Sequence, residues 1–322
     1  MTTVLVCGEA LMDVFALGDT ATGMALEARI GGSPLNVAIG LARLGRPVAF
    51  FGAVSRGFLG DRLMRALREE GVDTAPVARV DAPTTLGLVG LDAHGVPSYS
   101  FYGEGGADRQ LLADALRRVP AASAAIHVGS FTTVVEPAAS TLRALVEREH
   151  GRALISYDPN VRLNVEPELA RWRGVLQWML TRAHVVKISE EDLGLLCPGV
   201  RAEAFMADAL TRGVRLVVVT SGAQGAWAAT PSTRAAMAAV PVAVVDTVGA
   251  GDTFQAALLC WLADNDLLAA DALTAIAAPR LEDALRFACT AAGLTCARRG
   301  ADLPNRAELE RALATGQARG TP

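Results

Sequence analysis

The stretch Val244–Phe254 reads VVDTVGAGDTF. Its apolar run reads as a strand ending at Asp246, a glycine turn follows, and Asp252 opens an amphipathic helix expected to reach about Leu262. Glycine at 249 and 251 lets the backbone fold tightly enough for the N–H groups of Gly249, Ala250 and Gly251 to converge on one point. A point of that kind at a helix N-terminus attracts an anion, and the macrodipole adds to the attraction. A carboxylate beside a phosphate site is electrostatically unfavourable, so Asp252 calls for a purpose beyond binding. The evident one is to accept the proton of a hydroxyl that attacks phosphorus. The plainer alternative is that Asp252 caps the helix, a position aspartate favours. Spacing alone does not separate the two.

Outward from this stretch, short β-branched runs alternate with longer amphipathic segments. Thr3–Cys7, Val48–Val54, Ala125–Val128, Ala153–Tyr157, His184–Ile188 and Leu216–Thr220 read as buried strands. Pro34–Leu44, Asp61–Glu70, Ala138–Glu149 and Ala202–Arg212 carry helical spacing. This alternation predicts an α/β fold whose central, mostly parallel sheet is flanked by helices on both faces. Ligands of such sheets bind at the carboxyl ends of the strands, where the glycine turn falls. Two stretches break the pattern, one within about 13–30 and one within 86–102, the second expected to turn at Asp92–Gly95. They read as hairpins that form a small β-lid. With no Pro- or Ser-rich linker and no internal repeat, residues 1–322 are expected to form a single domain.

Composition removes several function classes. The 322 residues carry a net charge of −4, so no basic field exists to draw nucleic acid or an anionic membrane. No apolar run approaches the ~20 residues of a membrane span. The N-terminus, MTTVLVCGEALMDVF, lacks a basic segment ahead of its apolar stretch and reads as a first strand rather than a signal peptide. Five scattered cysteines, none in CxxC spacing, fit reduced thiols and a cytoplasmic setting. Four separated histidines suggest neither a zinc site nor a histidine-based nucleophile system. Lys187 is the only lysine in a chain that otherwise uses arginine.

The segment Asp246–Asp252 has the form D-T-x-G-A-G-D, and Gly31–Ala38 reads GGSPLNVA ahead of Gly40, Leu44 and Gly45. DPNVR (Asp158–Arg162), KISEED (Lys187–Asp192) and TSGAQG (Thr220–Gly225) lie between the two in the expected order. On these motifs the chain resembles the ribokinase-like (phosphofructokinase-B type) carbohydrate kinases over nearly its whole length. YGEGGADR (Tyr102–Arg109) and RRGA (Arg298–Ala301) are habits of the fructokinase branch. The resemblance implies a three-layer fold with a β-lid over the sugar. Asp252 would be the base, and the amides of Gly249, Ala250 and Gly251 the anion hole. ATP would be the phosphoryl donor. Magnesium would be organised through water by Glu190, and potassium bound near Asp246 and Thr247. Dimers would form through the lid strands.

Other residues have a functional and a bland reading. Gly31, Gly32 and Asn36 would line the sugar site, or mark only a loop-to-helix junction in which Ser33 caps the helix. Asp13 would accept bonds from sugar hydroxyls, or be a solvated loop aspartate. Arg162 suits phosphate or a carboxylated substrate, or is one more surface arginine. Arg109 stands in a glycine loop that is otherwise simply mobile. Lys187 replaces the Asn of the family's N-x-x-E element, and its ammonium could reach nucleotide phosphates directly. Thr220, Gly222 and Gly225 would pass the nucleotide's phosphates and ribose. Cys289, in Phe287–Thr290, stands where the family's late helix often has an Asn near adenine. Val54–Phe58 replaces an acidic Gly-Asp pair, an exchange without a physical account.

Fructose, phosphorylated on its 6-hydroxyl, is the expected acceptor, ahead of 2-keto-3-deoxygluconate and aminoimidazole riboside. A catalytically silent sugar-binding regulator is the alternative of another class, and the intact GAGD argues against it. A nicotinamide oxidoreductase would need G-x-G-x-x-G after the first strand, and a P-loop kinase Gly-Lys-Ser/Thr; the chain has neither.

Overall fold

Strand β1 (Thr3–Cys7) is buried from Val4 to Cys7, as a strand covered on both faces must be. The structure, a computed structural model, describes residues 3–91 and 97–318. Val4 and Val6 face one apolar core, while Leu5 and Cys7 face another, in the period-two alternation of a pleated strand. The partners of β1 are β4 (Val48–Phe51) and β9 (Ser123–Gly129), followed outward by β10 (Leu154–Asp158), β11 (Val185–Ser189) and β12 (Leu216–Thr220). β13 (Ala226–Ala229) and β14 (Arg234–Met237) extend the far edge. The order is β14-β13-β12-β11-β10-β9-β1-β4, parallel from β12 to β4 and antiparallel at the β13 and β14 pairs.

Helices cover both faces. α1 (Ser33–Arg43), α2 (Phe58–Glu69), α7 (Ala250–Asp264), α8 (Ala270–Leu273), α9 (Ala278–Cys296) and α10 (Arg306–Ala318) pack on the Val4 side. α3 (Ala138–Glu149), α4 (Leu169–Met179), α5 (Glu190–Leu196) and α6 (Ala202–Thr211) pack on the other. Every residue of α7 from Asp252 to Ala263 is buried, because the helix lies between α1, α9 and the sheet. A helix apolar on all sides is stable only in such a place. Each buried leucine there contributes about 1.5–3 kcal/mol through removal from water.

Both expected hairpins form. β2 (Leu11–Thr20) pairs with β3 (Gly23–Gly31), and β7 (Leu86–Leu91) with β8 (Pro97–Tyr102). A parallel β2–β7 pair joins them into one small sheet of order β3-β2-β7-β8. The turn expected at Asp92–Gly95 lies outside the described residues. β5 (Ala53–Ser55) and β6 (Ala78–Val80) form a separate parallel ribbon, so Val48–Val54 is two strands rather than one. Among the described residues no helix is long and apolar enough to cross a membrane.

The run before Asp246 differs from expectation, since residues 238–249 form no strand. Val244 and Val245 are 65% and 62% exposed. The N–H groups of Val245 and Asp246 both donate to the Cys296 carbonyl, at 2.8 and 3.2 Å. That carbonyl, at the end of α9, has no partner within its helix, and the β-branched run serves it instead of a sheet.

Candidate active site

The first turn of α7 is set by Gly249, whose φ of 78° is left-handed. A Cβ at this position would stand 2.6 Å from the Ala301 Cβ and 2.9 Å from its Cα. Glycine is therefore required by the sign of φ and by space alike. The N–H of Ala250 closes the turn onto the Thr247 carbonyl at 3.2 Å. Those of Gly249 and Gly251 have no hydrogen-bond partner among the described residues.

Asp252 is the third residue of α7 and not its cap. Its carboxylate turns toward α1 instead, where Ser33 Oγ donates to Oδ1 at 2.6 Å and Asn36 Nδ2 to Oδ2 at 2.8 Å. The hydroxyl of Ser33, expected to cap α1, is thus committed elsewhere, and Gly32 with φ 108° holds the cap position. Asp252 is only 8% exposed. Burial raises its pKa; the bonds from Ser33 and Asn36 and the charges of Arg162 and Lys187 act in the opposite direction.

Asp13, on β2, lies against two glycines of neighbouring strands. A Cβ at Gly31 would be 2.2 Å from Asp13 Oδ2, and one at Gly87 would be 2.9 Å from Oδ1. Burial pushes Asp13 up to about 6, opposed by Arg162 and reinforced by Asp252. Asp13, Gly31, Gly32, Asn36, Arg162 and Asp252 are therefore gathered in one region. Arg109 ends a 3₁₀ turn, Ala107–Arg109, and its charge acts on the buried Asp108.

Sequence reasoning missed a buried polar group where the small sheet meets the large one. Thr132 Oγ1 donates to Glu9 at 3.1 Å, and Thr85 Oγ1 to Asp108 at 2.5 Å. Burial lifts Glu9 to about 7. The available signal was an acid directly after the first strand, in GEALMD.

On the other side of the turn, Lys187 Nζ donates to Asp158 Oδ2 at 2.8 Å. Glu190 begins α5 and accepts the Ser221 hydroxyl, tying the end of β11 to the end of β12. Thr220 ends β12; Gly222 and Gly225, with φ 44° and 97°, turn the chain into β13. A Cβ at Gly225 would meet the Met237 carbonyl oxygen at 2.0 Å. Cys289 lies in α9 within the apolar core, its thiol pushed up to about 11 by burial. Asp246 accepts from Val248 N–H at 3.0 Å and from Gly300 N–H at 2.8 Å, and Thr247 follows it in the turn. No group of three or more His, Cys, Asp or Glu among the described residues could hold a metal ion.

An open, N–H-lined turn at a helix start, with a buried carboxylate three residues into that helix, has the parts that phosphoryl transfer to a hydroxyl requires. Residues 1–308 match the family model described as pfkB family carbohydrate kinase, and the chain belongs to that family. It is 35% identical to a fructokinase of Rhizobium leguminosarum bv. trifolii over 265 residues, 82% of this chain and 81% of that one. Among solved structures it is similar to a fructokinase of Xylella fastidiosa with bound ATP, with a TM-score of 0.87, 28% identity and coverage of 98% and 99% of the two chains. A fructokinase of Vibrio cholerae O395 with fructose, ADP and calcium ion gives 0.82 and 29%, over 97% and 99%. A double mutant of it was solved with fructose, ADP and potassium ion (0.82 and 29%, over 97% and 98%). The ribokinase-like fold expected from the motifs is the fold observed, and the protein is an ATP-dependent sugar kinase.

Proposed function

We propose that the protein transfers the γ-phosphoryl group of ATP to a primary hydroxyl of fructose, giving fructose 6-phosphate. The observation that carries this reading is the Asp252 carboxylate, buried between Ser33 and Asn36 beside the open turn of α7. The sugar oxygen forms a bond to the γ-phosphorus, the bond from that phosphorus to the bridging oxygen breaks, and ADP leaves with the electron pair. Asp252 takes the hydroxyl proton. Asp13, Asn36, Arg162 and the backbone of Gly31 and Gly32 hold the sugar, and Arg109 stands at the edge of that site. The N–H groups of the 249–251 turn receive phosphate, with Ala250 the least free of the three. Thr220, Gly222 and Gly225 follow the nucleotide, the Lys187 ammonium reaches toward its phosphates, and Cys289 lies on the adenine side.

The single carboxylate of Glu190, with the Ser221 hydroxyl, suits an ion that arrives largely ligated by phosphate and water, as magnesium does. Magnesium would neutralise charge on the phosphates. Asp246 keeps lone pairs beyond those its two N–H donors use, so it and Thr247 fit a potassium ion. The whole chain works as one cytoplasmic kinase domain whose small sheet is the lid. Leu17, Met24 and Leu26, over half exposed on the β2–β3 hairpin, suit pairing with a second copy.

The test is ADP release measured across ketoses, nucleosides and keto-acids. Fructose is expected to give the highest kcat/KM, and a higher value for any other acceptor overturns the assignment. Arg162, placed to act on both Asp13 and Asp252, supports the acid sugar 2-keto-3-deoxygluconate as the second reading.

Two further results are expected. Magnesium is required and potassium stimulates; equal rates with tetramethylammonium in place of potassium count against the Asp246–Thr247 site. ATP hydrolysis without sugar is far slower than transfer, because a closed lid excludes water from the γ-phosphorus. Comparable rates with and without acceptor would remove the lid from the mechanism.

A further inference from the structure

We propose that Lys187 is a catalytic residue acting on the phosphoryl group in flight, and that Asp158 is its positioning residue. This rests on the kinase reading above. The chain carries one lysine among 30 basic residues, so arginine serves wherever a positive charge alone is wanted. Lys187 sits mid-strand in β11, flanked by Val185, Val186 and Ile188 with no exposure at all. A compact ammonium on a flexible stem suits such a place better than a broad planar guanidinium.

The pair with Asp158 is almost sealed, at 6% and 3% side-chain exposure. Buried pairs of this kind contribute little net stability, so stabilising the fold does not account for it. The polar groups are also incompletely used. An ammonium has three donors, and Asp158 Oδ2 is the only acceptor Lys187 has among the described residues. Asp158 Oδ1 is buried with no hydrogen-bond partner among the described residues. Lys187 Nζ comes within 3.3 Å of the place a Cβ on Gly251 would occupy, so the missing side chain leaves the ammonium open to the turn. The unpaired N–H of Gly251 lies in the same turn. Spare donors of Lys187 and of the Gly251 backbone thus lie at the same turn, with no partner for them among the described residues.

The groups facing Lys187 come from several elements. They are Asp158 at the end of β10, Asp192 on α5, Asp252 on α7 and His127 on β9, with Arg162 acting on two of these acids. Burial favours the neutral amine, but the surrounding carboxylates outweigh it and raise the pKa, so the ammonium keeps its proton. His127 is neutral, pushed down to about 3 by burial. During transfer Lys187 donates a hydrogen bond to a non-bridging phosphoryl oxygen and remains protonated throughout, while Asp252 takes the sugar proton. A donor fixed in advance stabilises charge most where the phosphoryl group passes, so its effect falls on kcat more than on nucleotide affinity.

Lys187→Met alone would strand the Asp158 charge and endanger folding. The neutral pair Lys187→Met/Asp158→Asn avoids this and is the main test. It should lose about 100-fold or more in kcat, while calorimetry shows the Kd of a non-hydrolysable ATP analogue within about threefold of wild type. A kcat near wild type overturns the proposal, and so does a Kd weakened as much as kcat falls. Asp158→Asn alone leaves the ammonium without its partner in turn, so with thermal melting to confirm folding it tests the positioning. Without that carboxylate the Lys187 pKa drops, so kcat should fall as pH rises through the alkaline range where wild type stays level. A profile as flat as wild type overturns the role of Asp158. A wild-type enzyme that phosphorylates none of the acceptors fails the kinase reading, and that failure is visible before any variant is made.

Discussion

Asp252→Asn should fold normally and lose about 10²–10⁴-fold in kcat, the usual value of general base catalysis. That range corresponds to roughly 3–5 kcal/mol of barrier. Asn keeps the shape of the side chain, and its carbonyl oxygen still accepts from Ser33. Its amide faces the donating amide of Asn36, which must turn over to present its own oxygen, a cost of about 1 kcal/mol. Because phosphoryl transfer is loose, the proton moves late and positioning carries part of the rate, which draws the loss toward the lower end. The measurement is kcat at saturating ATP and sugar, with thermal melting to confirm folding. A folded variant that keeps more than about a third of wild-type kcat lies far outside the general-base range and would end the assignment. The pH profile gives a second reading of the same residue. Burial raises the Asp252 pKa, and the active form is the carboxylate. Activity should therefore be lost as pH falls through a midpoint above the ~3.9 of a free aspartate, and this limb should vanish in the Asn variant.

Gly249→Val should be the second most damaging change, with kcat lowered about 10²–10³-fold, the usual cost of losing one preorganised donor. A β-branched residue at φ 78° is a steric outlier. Its Cβ would also collide with the Ala301 backbone, so the turn must move and carry its N–H groups with it. Gly199→Ala is the control, since φ there is 77° and nothing lies within 4 Å of the added Cβ. It should lower the melting temperature and leave kcat unchanged. Equal kcat losses in the two variants would mean that backbone strain, and not the turn, limits the rate.

Much of this was legible in the sequence, for reasons particular residues make plain. Leu216–Thr220 and Thr3–Cys7 were found to the residue because a strand buried on both faces has to be continuously apolar. The run ending at Asp246 has the same character, yet it serves the end of α9, because a β-branched run does not reveal whether its donors meet a strand or a helix carbonyl. Gly249 and Gly251 announced a tight turn, whereas the choice of Asp252 as partner for Ser33 spans 219 residues and has no local signature. The same holds for Lys187 and Asp158. Each was visible in its own motif, but their meeting depends on β10 and β11 being neighbours. Glu9 was passed over because an acid after a strand normally points to solvent.

The chain order of the elements has a consequence for the timing of synthesis. Among the described residues every strand is complete by Met237, while α7 and α9, which pack on the Val4 face of the large sheet, come afterwards. Chains emerge from the ribosome N-terminus first and fold as they lengthen. A chain paused at that point would hold its finished sheet with Val6, Phe50 and Val218 deprived of Leu258, Leu262 and Leu285, which belong to the same apolar core. It would lack Asp252 and the turn of residues 249–251, and with them the proposed base and anion hole. It would also present a broad apolar surface of the sort that invites aggregation or a chaperone. The 249–252 turn and the concealment of that surface thus arrive together, with α7 and α9.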